Sequence, residues 1–329
     1  MAIAAPTLPR AARKRPSRHY SLRHYSPLEL WHLLSLDAPT VAALWTVCFA
    51  RALHVNLPWI APTALATGVW VLYALDRLLD AHYKPASQLR ERHLFHARHR
   101  EAFRAGIALA LPVVLITAFR FSLPAVHRPM FLLALLVAAY LLAVHGLASV
   151  QHLLPKEMAV GLIFATATVI PVWVRTPQHL ALFGGGVLFA TLCWLNCAAI
   201  EHWEGGRAES EHVNHNDPKT TIQRSSTLLR PTQTQLAHVT TGWAGRHLQS
   251  TAATLATLSL AVASYGALHL AQMPSGLPLI ASAVSISAAL LAVLDRQSLH
   301  LSPSLSPLAL RIAADAALLT PLLLLPFTR

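Results

Sequence analysis

The sequence predicts an all-helical (all-α), polytopic membrane protein with about nine transmembrane helices. Three observations lead there. Of 329 residues, 54% are hydrophobic and 12% charged, with a mean hydropathy of +0.47, whereas a soluble domain carries about 25% charged residues. Apolar runs of about 20 residues recur along the chain, the length a helix needs to cross a bilayer. With the N-terminus inside, Lys and Arg divide 21 to 5 between the two faces, as topology in a membrane demands. The net charge of +12 therefore belongs to loops and does not call for a nucleic-acid partner.

Residues 1–37 read as a basic cytosolic tail. Arg10, Arg13, Lys14, Arg15, Arg18 and Arg23 suit anionic lipid, although a mitochondrial transit peptide has similar chemistry. No apolar stretch precedes residue 38 or so, so a cleavable secretory signal is not expected. Glu29 to Leu36 suit a short interfacial helix, with Trp31 at headgroup depth. The nine expected spans are 38–55, 57–75, 105–123, 129–148, 157–174, 179–200, 248–271, 276–294 and 308–327. Together, residues 38–329 form one transmembrane domain, with cytosolic cap segments 81–104 and 201–247. The charge split puts the C-terminus outside, in a membrane most simply read as the bacterial inner one.

Cys48, Cys193 and Cys197 lie in or beside apolar spans and form no C-x-x-C, so they read as packing residues. Within 81–104, an amphipathic helix is expected after Pro85, turning Leu89 and Phe95 toward the membrane. His93, His96 and His99 are three apart and drift around a helix by about 60° per step. A solvated basic face or a phosphate-facing lid is expected of them; zinc lacks a completing carboxylate or thiolate nearby. In 205–247, His212, His215 and Asp217 suit a solvated turn. Gly184-Gly185-Gly186 suits close helix packing and lacks the Lys-Ser/Thr of a phosphate loop. Asp315 follows Arg311 by four, so a pair within one helix is expected.

The most informative stretch runs from Leu72 to Lys84: Leu-Tyr-Ala-Leu-Asp-Arg-Leu-Leu-Asp-Ala-His-Tyr-Lys. Asp76 and Asp80 are four apart, so they share a helix face, and Tyr73 shares it too. Two carboxylates followed by Arg77, His82 and Lys84 suit a hard cation carrying a phosphate ester. The plainer reading puts both acids in the headgroup layer, neutralised by neighbours.

This stretch resembles the first aspartate-rich motif, N-D-x-x-D-x-x-x-D, of the UbiA superfamily of intramembrane prenyltransferases. Asp76 and Asp80 match its last two aspartates, while Leu72 and Tyr73 stand where the Asn and the first Asp belong. The superfamily's second motif, D-x-x-x-D, belongs at the inner end of the sixth span. There this chain has Asn196, Glu201 and Glu204, a match in place and polarity rather than in letters. Lys156 opens the fifth span, where such enzymes carry a basic residue facing the diphosphate.

The resemblance implies a UbiA-like fold and Mg²⁺-dependent transfer of an isoprenoid from a prenyl diphosphate to an aromatic or lipid acceptor. It implies metal ligation by Asp76 and Asp80, supplemented by Asn196, Glu201 and Glu204. It also implies diphosphate contacts from Arg77, His82, Lys84 and Tyr73, and a catalytic part for Asp76, Asp80 and Lys156. The expected partners are that substrate pair and membrane lipids, with no nucleic acid and no protein partner. A non-catalytic protein of the same fold that binds lipid phosphate is the alternative, and a transporter using intramembrane acids a more distant one.

Overall fold

The computed structural model describes residues 25–83, 89–146, 156–214, 243, 245–269, 276–300 and 306–327. Among them there is no strand, and the helices follow the apolar pattern of the sequence. They are α1 Pro27–Leu33, α2 Asp37–Ala52, α3 Ile60–Tyr83, α4 Glu91–Arg98, α5 Arg100–Phe121 and α6 Pro124–Gly146. Then come α7 Lys156–Trp173, α8 His179–Asn214, α9 Leu248–Leu268, α10 Leu277–His300, α11 Pro307–Ala317 and α12 Pro321–Leu324, with a 3₁₀ turn at Leu325–Phe327.

Helix lies in each of the nine expected stretches. Six helices among the described residues are long and apolar enough to cross a membrane: α5, α6, α7, α8, α9 and α10. The remaining three fall short for separate physical reasons. α2 has only 16 residues, about 24 Å of helix against a hydrocarbon core near 30 Å. With α1 it forms a pair bent by 89°, which together makes a seventh candidate. α3 is 24 residues long, but Asp76 and Arg77 lower its apolar character. The last stretch is interrupted at Leu318–Thr320, where α11 ends and Pro321 starts α12.

The α1–α2 bend is made at Ser35, whose φ of 61° lies in the left-handed region. A non-glycine residue held there is uncommon and strained, and Ser35 is fully buried. α1 itself starts on a capping box: Ser26 Oγ accepts from the Glu29 N–H at 3.2 Å, and Glu29 returns the bond to the Ser26 N–H at 2.8 Å. The expected amphipathic helix is cut at His99 into α4 and the start of α5. Its histidines differ from expectation. His93 and His96 are buried against the bundle rather than solvated, because α3 and the α1–α2 bend offer them polar partners.

The core gathers α2, α7, α8, α9, α10 and α11. Trp45 is its centre, stacked on Phe189 with ring centroids 4.1 Å apart and tilted against Phe49 at 5.9 Å. Small residues let the helix backbones approach. A Cβ on Gly161 would lie 2.8 Å from the Trp194 backbone nitrogen, so α7 and α8 meet there with no room for a side chain. Gly185 of the triple glycine makes room instead for side chains, those of Ile280 and Phe49. Cys48 and Cys193 are buried and unpaired, as packing residues should be.

Candidate functional site

Polar side chains converge at the end of the bundle where α2, α7 and α11 begin and the apolar part of α8 ends. Arg77, on α3, is 3% exposed. Its Nη1 donates to the His32 carbonyl at 3.2 Å and to Ser35 Oγ, and its Nη2 lies 3.7 Å from Asp37 Oδ2. The guanidinium also sits over the Tyr73 ring, 5.9 Å from its centroid. Arg77 is thus a structural tie between α3 and the α1–α2 bend.

His96 continues that tie. Its Nδ1 faces the Arg92 carbonyl at 2.9 Å and must donate to it. Its Nε2 therefore accepts from Ser35 Oγ at 3.1 Å. Burial, then the Arg77 charge, pushes this imidazole down to about 3. Held neutral in the fold but titrating near 6.5 when unfolded, His96 adds stability that is complete above about pH 6.5. That stability is lost as the pH falls from there toward 3. Thermal unfolding should accordingly show a larger loss between pH 7.5 and 5.0 for the wild type than for His96→Gln; equal losses would remove His96 from the pH response.

α4 holds the acidic ends of two helices. The Arg90 backbone N–H donates to His93 Nδ1 at 3.2 Å, and His93 Nε2 lies 3.4 Å from Asp80 Oδ2 on α3. The Arg90 side chain meets Glu201 Oε2 at 3.0 Å and also pairs with Glu204, both on α8. Glu204 Oε1 in turn accepts from Arg311 Nη1 at 3.1 Å. Arg311 therefore pairs across helices and not with Asp315, the partner expected from their spacing. Asp315 instead accepts from Asn196 Nδ2 at 3.2 Å and lies 3.6 Å from His32 Nδ1.

Beneath this layer is a cavity of about 70 Å³ bordered by α2, α3, α7, α8 and α11. Asp37, Tyr73, Asn196, Arg311 and Asp315 form its polar end; Val41, Val160, Phe164, Ile200 and Leu318 are among its apolar walls.

Of the residues singled out in the sequence, Tyr73 and Asn196 share this cavity, while Asp80, Glu201 and Glu204 are drawn together through α4. Asp76 is half-buried one turn before Asp80, Lys156 is half-exposed at the start of α7, and His82 is exposed. Lys84 lies outside the described residues, as do residues 1–24 and 215–242 of the terminal tail and second cap. Mg²⁺ has two implied sets of ligands. Asp76 and Asp80, four apart on one face, suit an ion that uses one or two carboxylates plus substrate phosphate. Asn196, Glu201 and Glu204 as arranged do not fit one, because the two glutamates face Arg90 and Arg311.

Sequence reasoning passed over His32, Ser35, Asp37 and Arg90. Asp37 left a signal: an acid at the mouth of an apolar span is expensive there and marks a site. No protein-family model, curated protein or solved structure matches this chain.

Proposed function

We propose that this protein is a UbiA-like intramembrane prenyltransferase, transferring an isoprenoid from a prenyl diphosphate to an aromatic or lipid acceptor at the inner face of a bacterial membrane. One observation carries the reading. Arg90, the N-cap of α4, pairs with Glu201 and Glu204 on α8 while His93 of α4 meets Asp80 on α3, so the acids of the two helices are drawn to one short segment. When bound at Asp76 and Asp80, Mg²⁺ would supply charge to stabilise the leaving diphosphate. The chain's own residues do the rest. Lys84, Lys156 and His82 attract the phosphates; Arg77 holds α3 in place; the apolar walls take the isoprenoid and exclude water. About nine membrane-embedded helices, counting the bent and broken ones, would surround the site.

A specific observation favours a second reading, a non-catalytic protein of this fold that binds lipid phosphate: Glu201 and Glu204 are engaged by Arg90 and Arg311. Titrating a prenyl diphosphate into purified protein, with Mg²⁺ and with chelator, separates the two. Transfer chemistry predicts Mg²⁺-dependent binding weakened at least about tenfold by Asp76→Asn, a change to a direct ligand, and less by Glu204→Gln. Binding indifferent to chelator supports the second reading. Greater damage from Glu204→Gln moves the principal metal site away from Asp76 and Asp80.

A further inference from the structure

The geometry points to a transition-metal site of the zinc class formed by His32, Asp37, Asp315 and the amide oxygen of Asn196, separate from the Asp76–Asp80 pair. His32 and Asp37 flank the α1–α2 bend and are 1% and 3% exposed. Asp315 comes to them from α11 and Asn196 from α8. Three donors from three helices thus meet inside the bundle, with Asn196 hydrogen-bonded to Asp315 beside them.

Three observations carry the assignment. First, three donors lie close enough to close on one ion, the 3.6 Å spacing as it stands and the 2.7 Å one once His32 and Asp37 part by a few tenths of an ångström. His32 Nδ1 is 2.7 Å from Asp37 Oδ2 and 3.6 Å from Asp315 Oδ2, and one donor atom from each of the three residues falls within 4.8 Å of the others. Donors bound at about 2.0–2.2 Å to one ion sit roughly 3–3.5 Å apart. Second, both carboxylates approach the same ring nitrogen, and a single Nδ1–H cannot serve two of them. Third, Asn196 is 4% exposed and its Oδ1 has no partner. Its orientation is fixed, since only Nδ2 can donate to the Asp315 carboxylate. The amide oxygen is therefore a buried, unsatisfied acceptor on a residue that borders the same cavity as Asp37 and Asp315.

The surrounding charge permits a divalent cation. Two carboxylates neutralise it. Arg311 is neutralised by Glu204 at 3.1 Å. Arg77 gives Nη1 to the His32 carbonyl and Ser35 Oγ and keeps Nη2 3.7 Å from Asp37 Oδ2, so it shares Asp37 with the ion and orients it, as outer residues around metals do. One imidazole with hard oxygen donors suits Zn²⁺, Co²⁺, Fe²⁺ or Mn²⁺ rather than Mg²⁺ or Ca²⁺, which take oxygen sets. The adjoining cavity of about 70 Å³ has room for water, whose share of liquid volume is about 30 Å³, so the ion keeps an open position.

The test uses the full chain, stripped with chelator and reloaded with Zn²⁺ in detergent micelles. One equivalent of Zn²⁺ should remain after desalting. His32→Gln and Asp315→Asn should each weaken its affinity at least about tenfold, and His93→Gln and Asp76→Asn should leave it unchanged. Loss of Zn²⁺ affinity in His32→Gln while Asp76→Asn keeps it separates this site from the prenyl-diphosphate reading. A second readout needs no variant: pulsed electron paramagnetic resonance of the Mn²⁺-loaded wild type should show one directly bound nitrogen. A wild type that retains no Zn²⁺, affinity that survives in His32→Gln, or Mn²⁺ without a bound nitrogen would overturn the site.

Discussion

Arg77→Met is expected to destabilise the protein by about 3–5 kcal/mol, the range for removing one partner of a buried ion pair. Methionine fills most of the arginine's volume, so little of the loss comes from a cavity. The loss comes from what the guanidinium leaves behind. In chelator-stripped protein, Asp37, 3% exposed, keeps its charge with only His32 beside it, and both the His32 carbonyl and Ser35 Oγ lose a donor. Ser35 is also the residue held at a φ of 61°; without Arg77, one of the bonds that hold this strained conformation is gone. Removing the orphaned charge as well should return part of the stability, so Arg77→Met/Asp37→Asn should unfold at a higher temperature than Arg77→Met alone. The measurement is thermal or denaturant unfolding of the three proteins in one detergent. A double variant no more stable than the single one would show that Asp37 is not the group Arg77 serves.

Arg77 also shows what could be read from the sequence and what could not. The helical class and the position of each apolar stretch were legible because burial in lipid imposes one requirement, about 20 apolar residues in a row. Asp76 and Asp80 were legible as a shared face because i,i+4 spacing fixes it. Arg77 was noticed but expected at a phosphate, whereas the structure turns it inward to Asp37. Its direction depends on the α1–α2 bend, and nothing in Leu34-Ser35-Leu36 announces a left-handed serine: glycine or asparagine is the usual signal. The Asp315–Arg311 expectation failed for a related reason. Spacing says which side chains on one helix are neighbours, but Glu204 of α8 lies close enough to take the arginine. His93 and His96 read as solvated because their segment is strongly basic. They are buried because Asp80 and Ser35 receive them, a fact of tertiary placement that periodicity does not contain.

Trp45→Ala should be the most damaging single change in the apolar core. Trp45 is fully buried, stacked on Phe189 at 4.1 Å, and its indole N–H donates to the Leu318 carbonyl at 2.8 Å. That bond ties α2 to the point where α11 stops, so the residue both fills the core and holds the broken last segment against it. Large aromatic-to-alanine changes cost about 3–5 kcal/mol in aqueous proteins, transfer and cavity terms together. Among helices in lipid or detergent the transfer term shrinks, because the alternative surroundings are also apolar and packing supplies most of the association energy. The expected loss is therefore about 3 kcal/mol, near the lower end, most of it from the cavity beside Phe189 and Phe49. Trp45→Phe separates packing from the hydrogen bond. It keeps a ring against Phe189 but leaves the Leu318 carbonyl without its donor, a loss of about 1–3 kcal/mol. Unfolding of the three proteins in one detergent gives the order: wild type most stable, Trp45→Phe between, Trp45→Ala lowest. If phenylalanine is as damaging as alanine, the bond to Leu318 outweighs the stack, and the last segment is held to the bundle chiefly by that one hydrogen bond.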